Sequence, residues 1–214
     1  MVKSQQQHKF YYFLKRFFDI FLSFIAITSL LWLLIIIALL VLIFSGYPFI
    51  YKDKRVGKNG KTIYVLKFKT MYNNAEERIE SYLSKEELEK WKANRKIDKD
   101  PRITKIGKIL RKTSLDELPQ LFNIFIGDMS IVGPRPIIEK EFKDNYTEEE
   151  KNLILSVRPG LISYWSVHGR SNVQYENGER QKLELEYFKH HNIFFDFWIV
   201  LSAIPAVLLG KGAK

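Results

Sequence analysis

Residues 114–136 read SLDELPQLFNIFIGDMSIVGPRP, and this stretch decides how the rest of the chain is organised. Ser114 and Glu117 have the S-x-x-E spacing of a capping box, which predicts that a helix begins here. Asp116 and Glu117 then fall in its first turn, where free backbone N–H groups and the helix dipole favour negative charge. The stretch therefore predicts two neighbouring carboxylates at a helix N-terminus.

The second half of the same stretch places one arginine in a rigid loop. Gly127 and Asp128 are typical of a turn, and a short apolar strand follows them. Arg135 then stands between two prolines, which fix the backbone on both sides of it. Carboxylates beside a fixed guanidinium suit phosphate chemistry. On these residues alone a simple helix cap, with acidic residues that only complement the dipole, stays open.

Composition restricts the classes of function. The chain has 214 residues and a formal charge of +10, which indicates one domain, or one domain with a membrane element. The positive charge predicts an anionic partner: nucleic acid, anionic lipid or a phosphorylated substrate. There is no cysteine, and the four histidines lack the spacing of metal ligands. Disulfides, thiolate nucleophiles and a zinc site are therefore not expected.

The N-terminal part of the chain predicts a membrane element. Residues 20–51 contain no charged side chain, and this length is sufficient to cross a bilayer. Lys15 and Arg16 precede the segment, whereas Lys52 and Lys54 follow it. By the positive-inside rule, both ends then favour the cytoplasmic side. A re-entrant helical hairpin meets that preference better than a single transmembrane span.

Two further basic segments follow. The residues around an Asn59-Gly60 turn alternate as a β-hairpin does, and Lys67 and Lys69 lie on its second strand. These lysines are candidates for a phosphate contact, with a solvated basic strand face as the alternative. The segment ITKIGKILRKT, residues 103–113, predicts a basic amphipathic helix at a membrane surface. Its Arg111 precedes Asp116 by one short turn and is a candidate for the reacting phosphate.

Three blocks of the sequence resemble the bacterial sugar transferases, the small monotopic phosphoglycosyl transferases. They are RVGKNGKTIYVLKFKTM at 55–71, LDELPQLFNIFIGDMSIVGPRP at 115–136 and VRPGLISYWSVHGR at 157–170. The resemblance extends from Lys15 to the C-terminus. The chain departs from the family in two places: its apolar segment lacks the usual Ser-Pro pair, and Ile162, Ser163 and Ser166 replace the usual residues of the third block.

The resemblance implies transfer of a sugar-1-phosphate from a UDP-sugar to a polyprenyl phosphate such as undecaprenyl phosphate, with release of UMP. Both substrates are anionic, so a carboxylate nucleophile that divides the transfer into two displacements suits the chemistry. Asp116 is the expected nucleophile, and Glu117 the expected ligand of Mg²⁺. The expected phosphate or nucleotide contacts are Arg111, Arg135, Arg158, Arg170, Lys67 and Lys69.

These observations predict an α+β fold, a helix-rich membrane-associated domain with a small β-hairpin and interfacial amphipathic helices. Residues 1–48 form the membrane-embedded helix, and residues 49–214 form a catalytic domain on the membrane surface. Residues 193–209 fit a helix in the plane of the interface, because a charge interrupts their apolar run. The expected location is the bacterial inner membrane, with the active site on the cytoplasmic face.

Two other functions remain in competition. One is a membrane-bound nucleotide-sugar hydrolase or phosphatase, which would use the same carboxylates with water as the acceptor. The other is a non-enzymatic module that binds anionic lipid through its basic surface. No helix-turn-helix, RNP or zinc-finger pattern supports nucleic acid as a partner. A homodimer is compatible with the sequence.

Overall fold

A long N-terminal helix, α1 (Val2–Ser45), runs along one side of the molecule. The computed structural model describes residues 2–75, 79–84, 86–88, 100–169 and 178–208. Between residues 9 and 45, α1 is long and apolar enough to cross a membrane, by length and composition. The sequence thus predicted the apolar element correctly.

Helix α1 is continuous where the sequence predicted a hairpin that dips into one leaflet and returns. The Thr28 hydroxyl donates to the carbonyl of Phe24 at 3.0 Å, and the Ser29 hydroxyl to that of Ala26 at 3.2 Å. Such bonds to the preceding turn are compatible with a helix. Proline, which would remove a backbone N–H and clash with the preceding turn, is absent from α1. The chain therefore does not reverse direction here.

The predicted β-hairpin is present. Strands β1 (Ile50–Val56) and β2 (Thr62–Phe68) pair antiparallel, with Ile50 opposite Phe68. The turn between them contains Asn59 at φ 57°, a left-handed conformation that asparagine tolerates better than most residues. The Asn-Gly pair therefore determined the position of the turn.

Helix α4 (Gln120–Ile126) fixes the hairpin through one buried amide. Asn123 accepts a hydrogen bond from the backbone N–H of Leu66 at 2.9 Å and donates one to the carbonyl of Tyr64 at 2.8 Å. The residue is 1% exposed. Because both bonds are sequestered from water, they hold β2 in one register against α4.

A second, parallel pair of strands joins the two later sequence blocks. Strand β3 (Ser130–Val132) pairs with β4 (Gly160–Ile162). The backbones approach so closely that a Cβ on Gly160 would lie 2.1 Å from the nitrogen of Gly133. Glycine is therefore required at this crossing.

The remaining described helices lie between and after these strands. They are α2 (Ile79–Tyr82), α3 (Lys105–Thr113), α5 (Glu139–Asn145), α6 (Glu148–Leu155), α7 (Tyr164–His168), α8 (Glu179–His190) and α9 (Ile193–Leu208). Helices together with a hairpin and a short parallel pair give the α+β fold that the sequence predicted.

One predicted helix start is wrong. Ser114 makes no side-chain cap; it ends α3 in a left-handed conformation, at φ 56°, and its N–H bonds back to α3. A one-turn 3-10 helix, Leu115–Glu117, follows, and α4 begins only after Pro119. The Ser-x-x-Glu spacing fails because the preceding helix imposes its own C-terminal conformation on the serine.

Apolar side chains of α1 cover the body along most of the length of the helix. Leu34, Ile37 and Val41 pack with Phe68 and Leu110 in one buried cluster. Residues 26, 27 and 30 pack on a second cluster beneath β2 and α4. The opposite side of α1 remains exposed and apolar. Other helices also expose apolar residues: Ile109, Phe125, Ile126, Phe194, Phe197 and Leu201.

Candidate active site

The two acidic residues of the central stretch lie on the 3-10 turn between α3 and α4. Leu115–Glu117 forms a single turn, and Asp116 and Glu117 are both in it. Pro119 has no N–H and fits at the start of the following helix, where that donor would be unpaired. The carboxylates therefore lie in a 3-10 turn just before a helix, and not in the first turn of that helix as the sequence predicted.

Glu117 lines a cleft of about 380 Å³. The charged residues around this cleft are Asp53, Arg55, Lys67, Glu117 and Arg135. Its opposite wall includes Gly160, Leu161, Ser163 and Ser166. All three sequence blocks therefore contribute to one cleft. Its charged groups are the kind that binds and neutralises phosphates.

Strand pairing explains how the hairpin supplies three of these groups. Lys67 pairs with Tyr51, so it points to the same side of the hairpin as Asp53 and Arg55. The carboxylate Oδ2 of Asp53 lies 2.7 Å from Nη2 of Arg55 and 3.6 Å from Nζ of Lys67. Asp53 thus holds two cations at the edge of the cleft.

The ammonium of Lys67 is largely desolvated and lies close to the carboxylate of Glu117. Burial lowers the pKa of its ammonium, and the neighbouring carboxylate of Glu117 partly opposes that shift. An ammonium that has lost most of its hydration gains more from a bound anion than an exposed one does. Lys67 is therefore the better placed of the two predicted lysines.

Asp116 is a partly desolvated carboxylate. Burial, followed by the charge of Glu117, raises its pKa to about 6, while Lys67 and Arg111 act in the opposite direction. Neither Asp116 nor Glu117 forms an ion pair or a side-chain hydrogen bond with another residue in the described part of the chain. A carboxylate that lacks such partners and is mostly ionised at neutral pH can attack an electrophile.

Arg135 is held from two directions. Its backbone N–H donates to Oε2 of Glu184 at 3.0 Å, and its guanidinium lies 5.1 Å from the centroid of the Trp165 ring. Burial lowers the pKa of the guanidinium, and the charge of Glu117 opposes this. The Gly-Pro-Arg-Pro loop thus presents a fixed cation to the cleft.

Arg111 approaches Asp116 from α3. Its Nε donates to the hydroxyl of Thr70 at 2.9 Å, which orients the guanidinium. The negative charge of Asp116 supports its protonated form against burial. The structure therefore brings Arg111, Lys67, Arg135, Asp116 and Glu117 into one electrostatic group.

Three other predicted phosphate contacts differ in position. Lys69 donates to the carbonyl of Gly46 at 3.2 Å and to the side chain of Asn73, so it stabilises the turn after α1. Arg158 donates to the carbonyl of Gly127 at 2.6 Å and lines a second pocket. Arg170 lies outside the described residues. Neither Lys69 nor Arg158 joins the carboxylate pair.

The sequence did not reveal Asp53, Arg55 or Glu184. Because alternate residues of a strand share a face, Asp53 and Arg55 of β1 could have been assigned to one face of the hairpin, the face of Lys67. Nothing local in the sequence connects Glu184 with Arg135, which is 49 residues away. Ser163 and Ser166, which differ from the usual third block, form a reciprocal capping box at α7 and also line the cleft.

The acidic residues of the cleft fit a magnesium ion. Mg²⁺ is usually held in enzymes by one or two carboxylates together with waters and substrate phosphates. Glu117 offers such an oxygen, whereas Oδ2 of Asp53 is already engaged by both Arg55 and Lys67. In the described parts of the chain no three Asp, Glu, His or Cys residues cluster as an all-protein metal site.

Comparison with known proteins gives a consistent result. Residues 10–210 match the family described as bacterial sugar transferase. The chain is 38% identical to the exopolysaccharide production protein ExoY of Rhizobium meliloti over 201 residues. The aligned region covers 93% of this chain and 87% of that protein.

Two longer relatives carry more specific names. The chain is 37% identical to the undecaprenyl-phosphate galactose phosphotransferase of Salmonella typhimurium, over 94% of this chain and 42% of that protein. It is 32% identical to the UDP-glucose:undecaprenyl-phosphate glucose-1-phosphate transferase of Escherichia coli, over 94% of this chain and 41% of that protein. The chain thus spans less than half of these two relatives.

Proposed function

The chain belongs to the bacterial sugar transferase family, and we propose that it moves a sugar-1-phosphate from a UDP-sugar to a polyprenyl phosphate, releasing UMP. Undecaprenyl phosphate, named in two of its relatives, is the proposed acceptor. The observation that carries the proposal is that Glu117, Lys67 and Arg135 line one cleft. Asp116 does not line it but is adjacent to Glu117 and feels the charges of Glu117 and Lys67. The product would begin the assembly of a surface glycan or glycoconjugate.

The cations of the cleft address the main obstacle to this reaction. A nucleotide diphosphate and a lipid phosphate repel one another, and a carboxylate nucleophile adds further negative charge. Arg55, Lys67 and Arg135 line the cleft, and guanidinium groups can donate two parallel hydrogen bonds to a phosphate. These groups would neutralise the diphosphate and stabilise the charge that develops on the leaving UMP.

Asp116 is the proposed nucleophile. In the first step a carboxylate oxygen of Asp116 attacks the phosphorus that bears the sugar. The bond from that phosphorus to the bridging oxygen breaks, and UMP leaves with the electron pair. In the second step an oxygen of polyprenyl phosphate attacks the same phosphorus, which forms the lipid diphosphate and restores the carboxylate. A pKa of about 6 keeps Asp116 largely ionised at neutral pH.

Glu117 is the proposed ligand of Mg²⁺. When bound, the ion would supply Lewis-acid stabilisation of charge on the diphosphate oxygens. Glu117 itself lies beside Asp116 and lines the cleft, so its negative charge would otherwise oppose the approach of the donor. A bound cation would neutralise this charge.

The packing of α1 supports a membrane arrangement that does not cross the bilayer. Tyr11 bonds to Asp196 at 2.8 Å near one end of α1, and Ser45 bonds to Thr104 at 2.9 Å at the other. These ends are separated by about 50 Å of helix, more than the hydrocarbon core of about 30 Å. Between these ends α1 packs against the body through two buried clusters, one of them beneath β2 and α4, so a transmembrane α1 would draw polar groups of the body into hydrocarbon. We propose that the membrane segment, residues 1–48, which comprises α1 and the turn after it, lies in one leaflet. Residues 49–214 would then lie on the cytoplasmic face of the inner membrane.

A UMP-release assay tests the function. The purified chain in nanodiscs is incubated with Mg²⁺, undecaprenyl phosphate and a panel of UDP-sugars. With a matching sugar, we expect UMP in amounts that require repeated turnover only when the lipid is present. Steady UMP release without lipid would instead identify a hydrolase, and binding of anionic lipid without any release would identify a non-enzymatic module.

A further inference from the structure

A second cationic pocket lies at the N-terminal part of α1, apart from the cleft that contains Glu117. Its volume, open to solvent on one side, is about 290 Å³. Its charged residues are Lys15, Arg16, Asp19, Lys58 and Arg158. Lys15 is already paired with Asp196 at 2.5 Å. Arg16, Lys58 and Arg158 therefore face a single carboxylate, so the pocket carries excess positive charge.

The single carboxylate is already bound by donors of the protein. Asp19 accepts a hydrogen bond from the Ser130 hydroxyl at 3.1 Å and from the N–H of Ile131 at 2.9 Å through the same oxygen, Oδ1. It is 4% exposed. In the described part of the chain it forms no ion pair with Arg16, Lys58 or Arg158. The carboxylate thus does not neutralise the three cations by direct contact.

Part of this positive charge stabilises the end of α4. Arg16 donates to the carbonyls of Ile124 at 2.7 Å and Phe125 at 2.9 Å, and Nε of Arg158 donates to that of Gly127 at 2.6 Å. Cations at a helix C-terminus are favourable. This role accounts for Arg16 and for one nitrogen of Arg158.

It does not account for the remaining donors. The terminal nitrogens of Arg158 have no hydrogen-bond acceptor within the described ranges of the chain, and neither does Nζ of Lys58. The ammonium of Lys58 lies 5.8 Å from the centroid of the Tyr12 ring, a weak contact. Both side chains are only partly exposed. Both side chains therefore line the pocket with donors that the described part of the chain does not satisfy.

The fold separates this pocket from the reaction cleft. Ser130, at the start of β3, and Arg158, just before β4, both line the pocket. The reaction cleft instead uses Arg135, after β3, and Ser163, after β4. Because β3 and β4 are parallel, the two sites lie at opposite ends of the same short sheet. A phosphate in the second pocket would therefore not be the reacting one.

The surroundings of the pocket point to a lipid. Phe13 is 69% exposed and lies on α1, next to Tyr12 of the pocket. Ile126 is 65% exposed and lies on α4, whose last carbonyls bind Arg16. Cations next to exposed apolar side chains are typical of the boundary between lipid headgroups and hydrocarbon. We propose that Arg158 and Lys58, with the positive charge of Arg16 in the same pocket, bind the phosphate of an anionic phospholipid headgroup at this boundary.

Lipid binding to the full-length chain tests this proposal. The protein in detergent is titrated with phosphatidylglycerol, and retained lipid is counted by native mass spectrometry. Lys58→Gln should weaken binding about tenfold, the size of one charge-assisted hydrogen bond. Lys61→Gln is the matched control, since Lys61 lies on the same turn, is exposed and does not line the pocket. We expect this control to bind as the unchanged chain does.

Two further arms complete the test. Arg158→Gln should weaken lipid binding at least as much as Lys58→Gln. Because Arg158→Gln also loses the hydrogen bond to Gly127 and could fail to fold, Lys58→Gln alone then decides the test. Inorganic phosphate at equal concentration should not displace the lipid, because it gains nothing from the apolar rim. Equal losses in Lys58→Gln and Lys61→Gln would overturn the site, and displacement by inorganic phosphate would overturn the lipid.

Discussion

The buried carboxylate of Glu184 accepts a hydrogen bond from the backbone N–H of Arg135 at 3.0 Å, although the two residues belong to distant parts of the chain. Glu184 is 1% exposed, and its other oxygen, Oε1, has no hydrogen-bond partner among the described residues. Burial raises the pKa of this carboxylate to about 7, while the bond to Arg135 acts against the shift. Glu184 therefore positions the arginine loop and is protonated in part at neutral pH.

This relationship predicts a pH-dependent stability. The pKa of Glu184 is raised from 4.5 to about 7 in the folded chain, so the folded state holds its proton while the unfolded state has lost it. The free energy of unfolding should therefore fall as the pH rises from about 4.5 to about 7. Denaturation in detergent across this range measures the slope. Glu184→Gln, which keeps an acceptor for the N–H, should flatten it; an unchanged slope would exclude Glu184 as the source.

Lys67 should control the ionisation of Asp116. Its positive charge lowers the pKa of that carboxylate, so Lys67→Met should raise it and move the acidic limb of the rate profile to higher pH. The rate of UMP release measured between pH 5 and 8 reports the shift. Lys61→Met, which removes an exposed charge from the same hairpin, should leave the limb in place. A limb that stays fixed in Lys67→Met would argue against a reacting Asp116.

Arg135→Lys should reduce kcat/KM by about tenfold or more, because an ammonium cannot make two parallel hydrogen bonds to a phosphate. The substitution also weakens the stacked contact with Trp165. Steady-state kinetics with the UDP-sugar varied, at saturating lipid, measures the effect. Full activity in this variant would remove Arg135 from the phosphate site.

A chelator should stop UMP release, and added Mg²⁺ should restore it, since Glu117 is the carboxylate of the cleft that forms no ion pair with the described residues. Glu117→Gln should need a higher Mg²⁺ concentration for half-maximal rate, as one charged ligand is lost. Titration of Mg²⁺ against rate gives this value for both chains. Identical curves would show that Glu117 does not hold the ion.

Asn123→Ala should destabilise the fold by about 2–3 kcal/mol, because it leaves the N–H of Leu66 and the carbonyl of Tyr64 without partners. Urea unfolding in detergent provides the measurement. Asn152→Ala is the control, since Asn152 is exposed on α6. Equal stability of the two variants would contradict the role of Asn123 as the link between the hairpin and α4.

Features determined by neighbouring residues were predicted from the sequence. The Asn59-Gly60 turn defines the hairpin. In the structure, Thr147–Glu150 and Ser84–Glu87, which have the Ser/Thr-x-x-Glu spacing, form capping boxes. Ser114 is the exception: it has the same spacing, but the end of α3 fixes its backbone first. Local pattern thus suffices where no adjacent element competes for the same residue.

Features that depend on packing were not predicted. Lys67 and Lys69 look equivalent in the sequence, but β2 ends at Phe68. Lys67 within the strand lines the cleft, whereas Lys69 beyond its end bonds to Gly46 in the turn after α1. Arg158 matches a family block but turns towards α1. Glu184 carries no local signal at all, because its partner is brought to it by the tertiary fold.

The most direct test of the account is whether Asp116 carries the phosphosugar. The chain is incubated with Mg²⁺ and its UDP-sugar without lipid acceptor, quenched, digested and analysed by mass spectrometry. We predict a single hexose-phosphate adduct on the peptide that contains Asp116, discharged when undecaprenyl phosphate is added before the quench, and absent in Asp116→Asn. An adduct on another residue, or lipid-linked product formed by Asp116→Asn, would contradict the account.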